Sequence, residues 1–124
     1  MTEASARSVS LAIPPKPDYI VLARLALSAI CRLTPLAADD VADLKLAVSE
    51  IATERLSGAA DGPVHVLFEL QDDRLVVDLH AGSAPAGSED PLSRAIVEAT
   101  VDEVTYGEAS VRLVKRLPDN GLEA

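Results

Sequence analysis

The sequence contains very few aromatic residues and one cysteine. Its 124 residues include two Tyr, one Phe and no Trp, so the core has to be built from aliphatic side chains. Cys31 alone supports neither a disulfide framework nor a zinc site, and its apolar surroundings in the sequence predict a small buried thiol. No apolar run approaches the about 18 residues of a membrane span, and no signal-peptide pattern is visible at the start. We therefore expect a cytoplasmic protein.

Basic residues are also scarce. The chain has 11 Lys and Arg against 20 Asp and Glu, which gives a formal net charge of -9. A surface this acidic argues against general binding to nucleic acid or to anionic membranes, because both require basic patches. It suits solubility or a partner with a basic surface, but it identifies no partner. The length is enough for one domain with its own core.

Local patterns predict a strand and two helices in the first half of the chain. Alternating apolar residues predict a strand over 8–13, and the prolines that follow end it. A first helix is predicted over about 18–33, and a second runs from near Ala37 to Gly58. The first helix is apolar nearly all round, so we expect most of its surface to be covered.

The polar exception on the first helix is a stripe of Arg24, Ser28 and Arg32. These residues are spaced four apart and therefore lie on one helix face. We predict that this stripe is where the helix meets water or a partner.

A hairpin and a short helix are predicted next. Alternating apolar residues over 63–70 and 74–80 predict two antiparallel strands joined by a turn. Asp90 as N-cap and Pro91 at the first position predict the start of a short helix. The expected apolar face of this helix consists of Leu92, Ala95, Ile96 and Ala99.

A second hairpin is predicted over 101–106 and 109–117. Antiparallel strand pairs with helices between them imply an α+β fold arranged as a two-layer α/β sandwich. We expect one domain over 8–117, with loose termini at 1–7 and 118–124.

The two histidines are predicted to point outward from adjacent strands. His65 and His80 would suit a metal ion as cross-strand neighbours. However, no Cys or carboxylate constellation accompanies them in the sequence, so no metal site is predicted.

The element order and the short motifs at 13–19, 23–24, 43–50, 101–104 and 114–117 resemble those of the GHKL (Bergerat) ATPase fold, and more closely those of the bacterial anti-sigma factor serine/threonine kinases of partner-switching circuits. The resemblance covers nearly the whole chain. It implies a mixed, mainly antiparallel sheet covered by helices on one face.

The resemblance assigns a role to the second helix, where that family carries a Glu-x-x-x-Asn motif. The Glu acts as general base, and the Asn helps to hold magnesium on the phosphates. Glu50 matches the Glu, but Glu54 stands where the Asn belongs. A carboxylate replaces the donors of an amide with a negative charge, although its oxygens also ligate magnesium.

Two further motifs of the family are altered. Ala81 stands where an Asp accepts the adenine amino group, and Ser83 and Pro85 replace glycines of the same motif. The stretch 91–94 lacks both glycines of a phosphate-binding turn, and Asp90 places negative charge beside it. These changes predict that ATP is not bound and that no cofactor is required.

The resemblance and the altered motifs together predict a regulatory protein-binding module, without kinase activity, that binds a sigma factor or an anti-anti-sigma-like protein. In the family that the chain resembles, an arginine of the first helix contacts the protein partners, and Arg24 matches that position. The predicted partner site consists of Arg24, Ser28 and Arg32. A homodimer is also implied. One alternative is an active kinase that binds Mg-ATP, with Glu50 as base and Glu54 as magnesium ligand. A second alternative is a structural or oligomerisation domain.

Overall fold

The computed structural model describes residues 7–57, 62–81 and 90–118. The described elements are β1 (Arg7–Ile13), α1 (Ile20–Cys31), α2 (Ala38–Ser57), β2 (Val64–Leu70), β3 (Arg74–His80), α3 (Pro91–Thr100), β4 (Glu103–Tyr106) and β5 (Ser110–Arg116). A short 3-10 turn over Pro17–Tyr19 leads into α1. The α+β prediction is confirmed. Within the described ranges, no helix is long and apolar enough to cross a membrane.

The strands form one five-stranded sheet in the order β1-β2-β3-β5-β4. All four strand pairs are antiparallel, so the described sheet is antiparallel throughout rather than mixed. Both predicted hairpins are confirmed, and the second joins the first through β5. In that pairing Val77 lies opposite Leu113, and both side chains are fully buried. Aliphatic burial on the same face fixes this register.

The core lies between the sheet and the helices. Alternate residues of β2, from Val64 to Leu70, are buried, whereas His65 and Leu67 between them are exposed. The helices contribute Leu27, Leu44, Val48 and Ile51 to the same buried cluster. The only Phe, Phe68, is buried among these aliphatic side chains. Branched aliphatic residues therefore fill the core in place of aromatic side chains.

The first strand is buried only at its end. Ile13 is completely buried, but Val9 remains 47% exposed. The cause is the edge position of β1, whose residues have a neighbouring strand on one side only. Arg7 was predicted to belong to a loose terminus, but it is the first residue of β1 and pairs with Leu70.

The predicted apolar face of α3 is wrong. Leu92 is 68% exposed, and the residues that α3 buries are Ser93, Val97 and Thr100. Polar side chains can be buried when their hydrogen bonds are satisfied. The Thr100 hydroxyl donates to the Ile96 carbonyl at 2.9 Å, and Ser93 has a partner on α2. Hydrophobicity alone therefore selected the wrong side of this helix.

Candidate functional site

Glu50 lies on α2 at its contact with α3. The Ser93 hydroxyl donates a hydrogen bond to Glu50 Oε1 at 2.9 Å, and this bond is partly buried. One oxygen of the predicted general base is therefore already engaged by the chain's own side chain. A hydrogen bond to a charged group contributes about 1.5–3 kcal/mol when it is well formed, so removing Ser93 from this position has a cost.

The N-terminus of α3 is capped by the chain itself. The Asp90 carboxylate accepts the Leu92 N–H at 3.0 Å, and Pro91 occupies the first turn, as predicted. A helix N-terminus binds phosphate through free N–H groups and its positive partial charge. Here a carboxylate uses one donor and places negative charge at the same end of the helix.

Arg94 does not point to this capped end as a free cation. Its guanidinium lies 3.6 Å from Glu98 and 4.3 Å from the centre of the Tyr106 ring. The ion pair lies within α3, and the cation–π interaction with Tyr106 ties α3 to β4. Burial raises the pKa of Tyr106, so the ring remains neutral beside Arg94.

Glu54 lies beside a buried arginine. Arg55 is only 3% exposed, and burial lowers the pKa of its guanidinium while the Glu54 carboxylate opposes that lowering. A buried charge requires a compensating charge nearby. Glu54 is half-buried and helps to supply it, which gives this residue a structural role at the position of the family's Asn.

Ala81 follows β3 and is completely buried. Its N–H donates to the Ala109 carbonyl at 3.0 Å, so its backbone extends the pairing of β3 with β5. Its methyl group offers no acceptor to an adenine amino group. Ser83 and Pro85 lie outside the described residues.

A second region with exposed polar side chains lies between α1 and α2. It consists of three adjoining depressions of about 490, 290 and 190 Å³, which together we call the α1–α2 groove. Ser28 and Arg32 line the largest depression, and Arg24 lines the other two. Lys45 of α2 lines all three. The predicted stripe therefore runs along one groove, which also contains a cation that the sequence interpretation missed.

The cations of the groove lack carboxylate partners. Arg24, Arg32 and Lys45 form no ion pair within the described ranges 7–57, 62–81 and 90–118. By contrast, every described Lys or Arg of the sheet after β1 is paired, and so is Arg94 of α3. The paired residues of the sheet are Arg74, Arg112, Lys115 and Arg116. In a chain of net charge -9, three uncompensated cations in one groove form a local positive region.

Exposed apolar side chains border the same groove. The prediction that α1 is mostly covered is wrong, because Val21 is 49% and Leu25 is 61% exposed. Both line the smallest depression, and the exposed Leu46 of α2 lines the middle one. The sheet and α2 cover one side of α1, and within the described chain its other side faces solvent. Adjacent exposed apolar residues of this kind mark interaction surfaces.

Cys31 forms part of the wall of the largest depression. It is 4% exposed, which confirms the prediction of a buried thiol. Burial raises its pKa, and the positive charge of Lys45 partly opposes that effect. The thiol is therefore held in its neutral form beside the cations of the groove.

Sequence interpretation missed Lys45 and Ser93 for different reasons. Lys45 lies four residues after Val41 and three before Val48, at the border of the apolar stripe of α2, and this spacing was a usable signal. Ser93 forms an i, i+4, i+7 row with Val97 and Thr100. Only the position of Glu50 on another helix shows why that row is buried.

Several known proteins that are similar to this chain are serine-protein kinases named RsbW. The chain is 33% identical over 124 residues to the serine-protein kinase RsbW of Bacillus licheniformis, and the match covers 90% of this chain and 74% of that protein. It is 30% identical over 120 residues to RsbW of Bacillus pumilus, with the same coverage. The match to RsbW of Listeria innocua is 36% over 73 residues, covering 56% of this chain and 46% of that protein. No protein-family model matches the chain.

A similar solved structure contains the RsbU and RsbW domains of a Mycobacterium tuberculosis protein. The TM-score is 0.72 at 17% sequence identity, covering 90% of this chain. The chain spans only 32% of that two-domain structure. At this identity the likeness shows the fold alone, and it confirms the GHKL-type prediction.

Proposed function

The chain belongs to the RsbW serine-protein kinase family, and from this premise we propose that it is a regulatory protein-binding module of a partner-switching pathway. It binds a sigma factor or an anti-anti-sigma-like protein through the α1–α2 groove. It neither binds ATP nor transfers phosphate. Arg24, Ser28 and Arg32 contact the partner, together with Lys45.

The observation that carries this proposal is the combination of uncompensated cations and exposed leucines in one groove. Arginine and large apolar residues supply most of the energy in protein interfaces when a partner removes them from water. Arg24 and Lys45 need not break an existing ion pair to bind an acidic group. The partner segment should therefore be acidic and amphipathic, with apolar residues that cover Leu25 and Leu46.

The α3 side of α2 supports the absence of nucleotide chemistry. A phosphate docking at the start of α3 would meet the Asp90 carboxylate. Glu50 Oε1 already accepts the Ser93 hydroxyl, so only Oε2 could take up a proton without breaking that bond. A buried Ala81 gives the adenine amino group no acceptor, and sites lose large selectivity when such a hydrogen bond is missing.

A second candidate function is an active serine kinase with an altered nucleotide site. The name of the relatives and the retention of Glu50 favour it. Glu50 would act as general base and Glu54 as a magnesium ligand. This role competes with the electrostatic contact between Glu54 and buried Arg55, because a magnesium ion would draw the carboxylate away from the guanidinium.

A titration with Mg-ATP separates the two candidates. We expect no heat of binding and no change in amide chemical shifts at millimolar nucleotide, and no phosphate transfer to a partner protein. Micromolar binding that perturbs residues around Glu50 would instead support the kinase. A Glu50→Gln variant is the control for transfer, because it keeps the shape of the side chain and removes the base.

Partner binding is tested with purified proteins. Sigma factors and antagonist-like proteins encoded beside this chain in its genome would be expressed and titrated. We expect one of them to bind, with an affinity that falls as salt is raised, because the groove is cationic. Absence of binding, with a stable oligomer in light scattering, would favour a structural or oligomerisation domain.

A further inference from the structure

The two histidines of the chain lie directly opposite one another on the outer face of the sheet. His65 of β2 pairs with His80 of β3 in the antiparallel register, and both are exposed. Opposed residues of an antiparallel pair project from the same face, with Cβ atoms about 4.5–5.5 Å apart. Two imidazole rings are therefore presented to solvent side by side, on the face away from the helices.

The neighbours in the same row leave both rings open. Ala12 of β1 lies opposite His65, and Ser110 of β5 lies opposite His80. Both neighbours are small and uncharged. Neither covers an imidazole, and neither repels a cation.

Among the described residues of the sheet, the charged side chains of the next outward-facing pair on β3 and β5 compensate one another. Asp78 lies two residues before His80 on β3, and the Arg112 Nε donates to its carboxylate at 2.9 Å. Arg112 is therefore compensated and does not oppose a positive ion. The net charge of -9 also favours the approach of cations to the protein.

We propose that His65 and His80 together form a binding site for a transition-metal dication of the Cu²⁺, Ni²⁺ and Zn²⁺ class. One ion bound at about 2.0–2.1 Å from each ring nitrogen can join two imidazoles at this Cβ separation. Imidazole nitrogen suits these ions, whereas Mg²⁺ and Ca²⁺ prefer oxygen ligands.

The site has two protein ligands, and water completes its coordination. In the described part of the chain, no group of three or more His, Cys, Asp and Glu side chains is placed to hold a metal. The ion is therefore exchangeable, unlike zinc in a closed structural site. Because it binds only where folding brings β2 beside β3, it stabilises the folded chain by RT ln(1 + c/Kd), where c is the concentration of the free ion.

The test is a titration of the untagged chain with Ni²⁺, monitored by calorimetry and by the broadening of the histidine ring signals in NMR spectra. We expect one ion per chain and simultaneous broadening of both histidine rings. Substitution of either ligand, His65→Gln or His80→Gln, should weaken binding on the order of a hundredfold, because the second contact of a chelate is intramolecular. Ser110→Ala, a polar change in the same row, should leave the affinity unchanged.

Thermal unfolding provides a second measurement. Ni²⁺ should raise the melting temperature of the wild-type chain but not that of the variant with both histidines replaced. Mg²⁺ should have no effect on either. His65→Thr, which retains β propensity, gives a further variant if Gln disturbs the strand. Two equivalents of Ni²⁺ bound independently, or wild-type affinity in either single variant, would overturn the two-imidazole site.

Discussion

Helix α2 separates two regions that differ in how completely their polar side chains are paired. On the side toward α3, Glu50 has the Ser93 hydroxyl as donor, and Arg94 has Glu98. On the side toward α1, Arg24 and its neighbouring cations have no carboxylate within the described ranges. The region with internal partners has less left to offer a ligand. The region without them can gain free energy from a partner without losing contacts of its own.

The largest expected effect is on the unpaired side. Arg24→Ala should weaken partner binding by about 2 kcal/mol, or roughly thirtyfold, because it removes a central interface arginine. Arg112→Ala is the matched control, since Arg112 already pairs with Asp78 on the outer face of the sheet. Calorimetric titration of both variants measures the difference. Wild-type affinity in Arg24→Ala would remove this residue from the interface.

A smaller effect should follow from removing an exposed leucine of the groove. Leu25→Gln should change the stability of the free chain by less than about 0.5 kcal/mol, since the side chain is largely in water. It should weaken partner binding by more than about 1 kcal/mol. Leu92→Gln is the control, because Leu92 is similarly exposed but lies on α3. Equal losses in the two variants would mean that the groove has no special part in binding.

On the paired side, the expected effect is on stability rather than on binding. Ser93→Ala should lower the free energy of unfolding by about 1–2 kcal/mol, because Glu50 loses its donor. In a double-mutant cycle with Glu50→Ala, the two changes should be coupled. Urea unfolding measures the stabilities, and partner affinity should not change. Strict additivity would show that the hydrogen bond contributes nothing.

The smallest expected effect concerns Cys31, whose pKa is raised by burial. In the unfolded chain the thiol ionises near its ordinary value of 9.0, while the folded chain keeps it neutral. The neutral thiol therefore contributes to the free energy of unfolding, and this contribution is complete below pH 9. It is lost as the pH rises through the higher pKa of the folded chain, by at most about 1.4 kcal/mol per pH unit.

Urea unfolding of wild type and Cys31→Ala at pH 8 and pH 10 isolates the thiol. The stability difference between the two proteins should shrink at the higher pH. A constant difference would indicate that the wall of the groove is open to water even without a partner.

Local patterns predicted most of the fold. The hairpins, the inward residues of β2 and β3, and the start of α3 at Asp90 depend on alternation and capping, which act over a few residues. The placement of β5 beside β3 depends on a long-range register and was not predicted. The buried face of α3 depends on Glu50, a residue 43 positions away from its partner.

The candidate site likewise contains residues that local patterns predicted and residues that only the tertiary packing reveals. The stripe of Arg24, Ser28 and Arg32 was found from helical spacing, and the structure places all three along one groove. The spacing of Lys45 on α2 indicates only that it borders the apolar stripe of that helix, and the packing of α1 on α2 had to be known to place it in the groove. The exposure of Leu25 was likewise hidden, because apolar content does not show whether a covering surface belongs to the same chain.

The unbroken length of α2 has an evolutionary consequence. Its 20 residues form a rod about 30 Å long. The helix backbone holds positions 45 and 50 at a fixed separation when either side chain is substituted. Substitutions on one side of the rod should therefore be nearly independent of substitutions on the other. A lineage can lose the chemistry of one side by drift while selection retains the recognition surface of the other.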